Sequence, residues 1–184
     1  MTVINLKTGN EIKITDEMTL SCALGNFDGV HRGHMALLKE ATEKGECTHS
    51  AVWTFRRHPR LCSGDDGFSV LTTTEQRTAL FAGAGIDIVI FCDFPEVKDV
   101  APKDFVRRIL YKECRVRRAV CGYNFRYGKN AAGTPEMLSE EMAAVGAEEV
   151  TVDAVKSADG TVISSSAVRR FLEEGKIEKA NDLL

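Results

Sequence analysis

The sequence contains no long apolar run. None of its hydrophobic stretches approaches the roughly 18 residues that a membrane-spanning helix needs. The first residues, 1–14, have neither the basic start nor the apolar segment of a secretory signal peptide. These two absences predict a cytoplasmic protein that does not associate with a membrane.

An excess of positive charge is also missing. The 24 Lys and Arg residues face 27 Asp and Glu residues, so the formal net charge is −3. A protein that binds nucleic acid through bulk electrostatics carries a basic excess, so we expect no nucleic-acid partner. Basic residues form a stretch at 107–118, where a solvated helix face is more typical than a partner site.

The six cysteines include no C-x-x-C pair. Several of them lie inside apolar runs, which favours buried reduced thiols over disulfides or a zinc site. No internal repeat, low-complexity tract or interdomain linker divides the chain. A length of 184 residues suits one substantial core, so residues 1–184 are predicted to form a single domain.

Short apolar runs alternate with amphipathic segments along the chain. The runs predict five strands, at 21–25, 50–55, 86–91, 117–122 and 148–155. The amphipathic segments predict helices at 34–42, 72–82, 102–112, 135–145, 165–175 and 177–184, the second opened by a capping box from Thr72 to Glu75. This order predicts an α/β fold with a Rossmann-like parallel sheet and helices on both faces. Residues 3–14 predict a turn-linked pair of edge strands.

The first candidate site follows the first predicted strand, because ligands of such sheets bind at the carboxyl ends of strands. Its sequence is Gly25-Asn26-Phe27-Asp28-Gly29-Val30-His31-Arg32-Gly33-His34. Glycines permit close approach of a ligand, and the following helix directs its free N–H groups at an anion. Both histidines can donate an N–H to a phosphate oxygen. A metal bound by the two histidines, or an incidental surface pair, are the alternatives.

Three further loops carry polar and aromatic residues. The segment after the second strand contains Phe55, Arg57, His58 and Pro59, and offers an aromatic face beside cations. Residues 122–129, GYNFRYGK, resemble a P-loop but miss its spacing and its final hydroxyl. Their three aromatics, amide and two cations suit a flat ring beside a phosphate chain. Residues 163–169, ISSSAVR, place three hydroxyls and an arginine at a helix start, which fits an anion site or ordinary capping.

These four segments, in this order, resemble the FMN adenylyltransferase module of bacterial FAD synthetases, the bifunctional riboflavin kinase/FMN adenylyltransferase family. GNFDGVHRGH resembles the H-x-G-H signature of the nucleotidyltransferase superfamily. Three positions depart from the family pattern: Arg57 stands for a proline, Tyr127 for a phenylalanine and Ser166 for a threonine. The resemblance implies transfer of AMP from ATP to FMN, giving FAD and pyrophosphate, with Mg²⁺.

The resemblance also implies a role for each motif residue. The residues implied in catalysis are His31, His34, Asn124 and Arg169, with Asn124 also near the metal. Those implied in ATP binding are Gly25, Asn26, Phe27, Asp28, Gly33, Ser164, Ser165 and Ser166, with the backbone amides of 25–29 forming a cradle. Asp28 could instead be structural and close the turn. Those implied in flavin binding are Phe55, His58, Pro59, Tyr123, Phe125 and Arg126.

Two other classes of function stay open. A related nucleotidyltransferase would act on nicotinamide mononucleotide, pantetheine phosphate or an alcohol phosphate. A non-catalytic module would bind flavin or nucleotide without turnover. Family members usually continue past the helix that ends at Leu184 into a riboflavin kinase domain, so we expect the kinase to be absent from this stand-alone chain or fragment. Nothing in the sequence indicates the oligomeric state.

Overall fold

A computed structural model describes residues 1–6, 14–65 and 67–184. Six strands form one sheet: β1 (Thr2–Leu6), β2 (Leu20–Leu24), β3 (His49–Phe55), β4 (Ile88–Cys92), β5 (Val116–Gly122) and β6 (Glu148–Val152). The α-helices are α1 (Arg32–Thr42), α2 (Pro59–Cys62), α3 (Thr74–Gly83), α4 (Phe94–Val97), α5 (Pro102–Asp104), α6 (Pro135–Ala143), α7 (Ser165–Glu173) and α8 (Ile177–Asn181).

All strand pairs are parallel, in the order β1-β4-β3-β2-β5-β6. The chain runs outward from β2 through β3 to β4, then returns to place β5 on the other side of β2. The sheet therefore has its topological switch between β2 and β5, where open α/β sheets bind their ligands. The predicted α/β class and parallel sheet are confirmed.

The first residues differ from the prediction. Thr2–Leu6 is an edge strand, but it pairs parallel with β4, so it adds a sixth strand to the main sheet. The predicted turn and most of its second strand lie at 7–13, outside the described residues. The predicted capping box is displaced by one position, because Thr73 caps α3 and Gln76 completes the box. The residue at the predicted cap, Thr72, bonds instead to the loop after β2.

Buried side chains cover both faces of the sheet. One cluster packs β1 to β5 against α6 and the helix that continues α5, and includes Trp53, Phe105 and Leu138. The cluster on the other face packs Leu38 of α1 and Phe81 of α3 against β2 to β5. The central strands β2 and β4 are buried along their whole length, as a sheet covered by helices on both faces requires.

The predicted helix at 102–112 has two parts. Residues Pro102–Asp104 are α-helical, and Phe105–Glu113 form a π-helix. The wider turn still presents Phe105, Val106, Ile109 and Leu110 to the core. π-Helical turns often occur at functional sites, and this one begins at a residue that lines the cleft described below.

The basic stretch at 107–118 is mostly paired within the protein. Arg107 forms an ion pair with Glu141 at 2.5 Å, and Arg117 lies over the ring of Tyr111. Arg118 contradicts the prediction of a solvated face, because it is buried and pairs with Glu40 and Glu148. Its position on β5, next to the end of α1, places the guanidinium between helix and sheet.

All six cysteines are free thiols, as the sequence predicts. Burial raises the pKa of Cys92 and of Cys121 to about 12, so both remain protonated. Within the described ranges, no helix has the length and apolar content to cross a membrane.

Truncation of a core residue is expected to destabilise the sheet. Ile90 on β4 is fully buried, so Ile90→Ala removes packing and leaves a cavity that costs about 2–5 kcal/mol. Ile177→Ala is the matched control, because Ile177 is 53% exposed. Urea unfolding measures both variants. Equal free energies of unfolding for the two variants would contradict this account of the core.

Candidate active site

A cleft of about 950 Å³ lies at the carboxyl ends of the strands. Its walls come from the loops that follow β2, β3, β4, β5 and β6, and from the start of α7. Of the eighteen site residues that the sequence indicated, all but Phe27 and Asp28 line this cleft. The fold thus gathers four motifs that are distant in the sequence into one concave site.

His31 and His34 form a stacked pair at the start of α1. Their ring centroids lie 3.6 Å apart with an angle of 12° between the planes. The Nδ1 of His31 caps the helix by accepting the His34 backbone N–H at 3.2 Å. Because Nδ1 is an acceptor, neutral His31 carries its proton on Nε2, and this N–H is available to a ligand. Gly33 permits the stack, since a Cβ there would lie 3.2 Å from the His31 ring.

Burial keeps both imidazoles neutral. It lowers the pKa of His31 to about 4, because the charged form would lose its hydration. It holds the pKa of His34 well below its usual range, with added repulsion from His31 and Arg77. The Nδ1 of His34 is buried and has no hydrogen-bond partner among the described residues. The pair can therefore donate hydrogen bonds to a phosphate but supplies no net positive charge.

The loop between β2 and α1 has a constrained backbone. Phe27 and Val30 adopt positive φ angles of 53° and 40°, which non-glycine residues rarely do. The Phe27 ring is fully buried against Phe81 and lies beneath the His34 ring, with centroids 5.1 Å apart. Residues in such conformations persist where their surroundings hold them, often at functional sites. Phe27 therefore supports His34 from below and does not face the cleft.

Asp28 connects this loop to two other segments. Its Oδ1 accepts the backbone N–H groups of Leu71 at 2.8 Å and Thr72 at 3.1 Å. Its Oδ2 forms an ion pair with Arg169, and its carbonyl oxygen accepts the Ser165 hydroxyl at 2.8 Å. The carboxylate is buried, as a paired charge can be. These contacts favour the structural role for Asp28.

Not every backbone N–H of residues 25–29 is available to a ligand. The Gly25 N–H donates to the carbonyl of Trp53 at 3.3 Å. The Gly29 N–H donates to Thr72 Oγ1 at 2.9 Å. The predicted amide cradle is therefore wrong for these two groups, because the loop uses them to attach itself to β3 and to the segment before α3.

The start of α7 lines the cleft beside the loop that precedes α1. Ser164 caps the helix by accepting the Ala167 N–H at 3.2 Å, and Ser166 is exposed. The guanidinium of Arg169 donates from Nε to the Ser69 carbonyl at 2.9 Å. With its ion pair to Asp28, Arg169 is held at the edge of the cleft, where it adds positive charge to the helix start.

The loop after β3 places Phe55, His58 and Pro59 in the cleft. His58 caps the short helix α2 through Nδ1, and its ring stacks on Phe68 with centroids 4.4 Å apart. Burial lowers the pKa of His58, so this ring is also neutral. Arg57, which stands where the family has proline, is exposed.

The loop after β5 supplies the remaining predicted residues. Tyr123, Asn124 and Arg126 are exposed at the mouth of the cleft, and Phe125 packs partly on the core. Arg126 donates to the carbonyl of Phe125 at 2.9 Å. This arrangement places one amide and one cation beside an aromatic ring, as the motif's composition indicated.

A continuous row of aromatic rings lines the cleft beside the loop after β5. Successive centroids lie 5.1 to 5.7 Å apart. We call this row the aromatic wall, and its members in order are Phe94, Phe55, Trp53, Phe105, Tyr127 and Phe125. Of these six residues, the sequence analysis assigned only Phe55 and Phe125 to flavin binding. Strand alternation could have added Trp53, which lies two residues before Phe55 and so shares its face.

Arg77 is a site-supporting residue that the sequence analysis missed. It is buried, and it donates to the carbonyls of Asn26 at 2.9 Å, Phe55 at 3.0 Å and Arg56 at 2.8 Å. One guanidinium thus joins the loops that follow β2 and β3. No sequence signal distinguishes it, because an arginine on an amphipathic helix is normally assigned to the solvated face.

Comparison with known proteins identifies the family of this chain. A family model described as FAD synthetase matches residues 13–167. The chain belongs to the FAD synthetase family. A Listeria monocytogenes protein named bifunctional riboflavin kinase/FMN adenylyltransferase is 36% identical over 180 residues, covering 92% of this chain and 56% of the relative. A Bacillus subtilis protein of the same name is 32% identical over 169 residues, covering 88% and 52%.

This chain spans about half the length of these two relatives. A crystal structure of a Streptococcus pneumoniae protein described as a macrolide-efflux protein matches the whole chain with a TM-score of 0.84. It covers 60% of that protein at 23% identity. A likeness at this identity supports the fold alone.

The neutral histidines predict a pH dependence of stability. An unfolded histidine titrates near 6.5, whereas folded His31 titrates at about 4. Between these values the unfolded chain binds more protons, so the free energy of unfolding falls as the pH is lowered through this window. Urea unfolding at several pH values measures the fall, and His31→Gln should make it shallower.

His49→Gln is the control for this measurement, because His49 lies at the amino end of β3, away from the cleft. This variant keeps the His31 imidazole, so its free energy of unfolding should fall more steeply with decreasing pH than that of His31→Gln. A His31→Gln variant whose stability falls as steeply as the parent's would show that His31 is not a buried neutral histidine.

Proposed function

We propose that this chain transfers AMP from ATP to FMN, giving FAD and pyrophosphate. The observation that carries the proposal is that one cleft joins the aromatic wall to the starts of α1 and α7. A wall of rings suits a flavin, and helix starts suit phosphate groups. The cleft volume is at the upper end of the range for ligand sites, about 300–1,000 Å³, as a ligand with two ring systems requires.

The proposed reaction is a single displacement at phosphorus. A phosphate oxygen of FMN forms a bond to the α-phosphorus of ATP while the bond from that phosphorus to the bridging oxygen breaks. Pyrophosphate leaves with that oxygen. Such transfers depend on positioning and charge stabilisation, so no covalent enzyme intermediate is needed.

The histidine pair would stabilise the charge that develops on the α- and β-phosphates. Both imidazoles are neutral and held in place by stacking and capping, so their N–H donors need little reorganisation. Donors fixed in this way stabilise a transition state more than mobile groups do. Ser164, Ser165 and Ser166 with Arg169 would hold the triphosphate and the departing pyrophosphate at the neighbouring start of α7.

The residues of the cleft fit Mg²⁺ that arrives with the nucleotide. In the described part of the chain, no group of three His, Cys, Asp or Glu residues could hold a metal, so a site made only of protein ligands is not formed. Mg²⁺ commonly takes most of its ligands from phosphates and water. The amide oxygen of Asn124 would be the protein's ligand, and the bound ion would neutralise phosphate charge.

The flavin would lie along the aromatic wall, beside Phe55, His58, Pro59, Tyr123, Phe125 and Arg126. Gly25, Asn26 and Gly33 would let the nucleotide approach the backbone closely. Phe27 and Asp28 would support this site from behind. We further propose that residues 1–184 act as one adenylyltransferase domain in the cytoplasm.

Removal of the His31 donor tests the proposed activity. The parent chain, incubated with FMN, ATP and Mg²⁺, should form FAD and pyrophosphate, which chromatography separates and quantifies. His31→Ala should lower kcat by about 10²–10³, the usual loss for a preorganised donor to a developing oxyanion. His49→Ala is the matched control and should keep the parent rate.

The same assay contains the outcome that would refute the proposal. If the parent forms no more FAD than His31→Ala does, the chain is not an FMN adenylyltransferase. Incubation with nicotinamide mononucleotide or pantetheine phosphate in place of FMN then identifies a related transferase.

A further inference from the structure

Two buried polar atoms of the aromatic wall have no hydrogen-bond partner among the described residues. The indole Nε1 of Trp53 and the hydroxyl of Tyr127 are buried, and neither has a hydrogen-bond partner in residues 1–6, 14–65 and 67–184. Trp53 is 3% exposed and Tyr127 is 6% exposed. Both residues line the cleft, so their side chains border the space that a ligand on the aromatic wall would occupy.

Such atoms are rare in folded proteins. Buried Trp and Tyr side chains usually find a partner for their N–H or O–H, because an unpaired buried donor is strongly unfavourable. Within one wall, two unpaired donors are separated by a single ring, that of Phe105. Their proximity indicates a shared ligand more readily than two independent defects.

The two donors are held rigidly. The Phe105 ring lies 5.1 Å from the Trp53 ring and 5.3 Å from the Tyr127 ring. On the far side of Tyr127 is Gly133, where a Cβ would lie only 2.6 Å from the tyrosine ring. The backbones of Tyr127 and Gly133 also pair as an isolated antiparallel bridge. The glycine leaves space for the tyrosine, and the bridge fixes the segment that carries it.

We propose that Trp53 Nε1–H and Tyr127 O–H donate hydrogen bonds to acceptor atoms on the ring of the acceptor substrate, and so select that ring. This inference rests on the proposed function, under which the ring is the isoalloxazine of FMN. That ring has carbonyl oxygens and unprotonated nitrogens on one side and an apolar dimethylbenzene edge on the other. The aromatic wall offers partners for both parts of this ring, because its two donors lie among apolar rings.

The chemistry of the two groups suits this role. An indole N–H can only donate, so Trp53 favours an acceptor atom. Burial raises the pKa of Tyr127 to about 12, so its hydroxyl keeps the proton that it donates. Tyr127 stands where the family pattern has phenylalanine. Its hydroxyl is therefore a feature of this chain, and Tyr127→Phe restores the residue of the family pattern. A ring that lacks acceptor atoms would leave both donors unpaired. A site built to form hydrogen bonds with its substrate discriminates strongly against a ring of that kind.

The test removes each donor and keeps an aromatic ring at its position. Trp53→Phe and Tyr127→Phe are compared with Tyr111→Phe, which removes a tyrosine hydroxyl outside the cleft. FMN binding is followed by quenching of flavin fluorescence, and the KM values for FMN and for ATP are measured separately. Each cleft variant should weaken FMN binding and raise the FMN KM by about 2- to 10-fold, the value of one neutral hydrogen bond. The ATP KM and the control should not change.

Stability without ligand separates a binding role from a structural one. Tyr127→Phe removes a hydroxyl that no described residue satisfies, so urea unfolding of the ligand-free variant should show an equal or greater free energy of unfolding than the parent. Lower stability together with unchanged FMN affinity would overturn the inference and assign the hydroxyl to the fold.

The remaining outcomes separate this inference from the proposed function. A parent that forms FAD, with cleft variants that bind FMN as tightly as the parent does, overturns the donor role alone. A parent that binds FMN without forming FAD overturns the proposed reaction. In that case, weaker FMN binding by the two cleft variants would still support the donor role.

Discussion

The buried ion pair between Asp28 and Arg169 determines the shape of the site. It links the loop before α1 to the first turns of α7, two segments that are more than a hundred residues apart in the chain. The Ser165 hydroxyl, bound to the Asp28 carbonyl, makes the same connection from the helix start. A buried pair of this kind adds little net stability compared with apolar packing, but breaking it is costly. Its effect is to hold two anion-binding helix starts next to each other in one cleft.

This arrangement divides the work of the site between neutral and charged groups. The stacked histidines are buried by the support of Phe27 from below, and this burial keeps them neutral donors. Positive charge comes from Arg169, which also pairs with Asp28, and from the partial charges of the helix starts. Neutral donors and positive groups in one cleft suit a reaction in which charge shifts along a phosphate chain.

Much of this could be predicted from the sequence. The alternation of apolar runs and amphipathic segments predicted the parallel sheet, because period and length distinguish strands from helices. The motifs after β2, β3 and β5 and at α7 predicted the cleft, because parallel strands end at one edge. The sequence could not place Thr2–Leu6 beside β4, since pairing between distant strands leaves no local signal. Arg77, Phe94 and Phe105 were missed because their roles arise from tertiary contacts, whereas their local patterns are those of ordinary helices.

The central claim is that the starts of α1 and α7 bind one phosphate chain whose flavin end lies on the aromatic wall. A crystal structure of the chain with FAD tests it most directly. The account predicts the diphosphate between His31 and Ser164, the isoalloxazine against Trp53 and Tyr127, and the adenosine on the other side of the histidines. A diphosphate bound away from His31 and His34, or an isoalloxazine outside the aromatic wall, would contradict it.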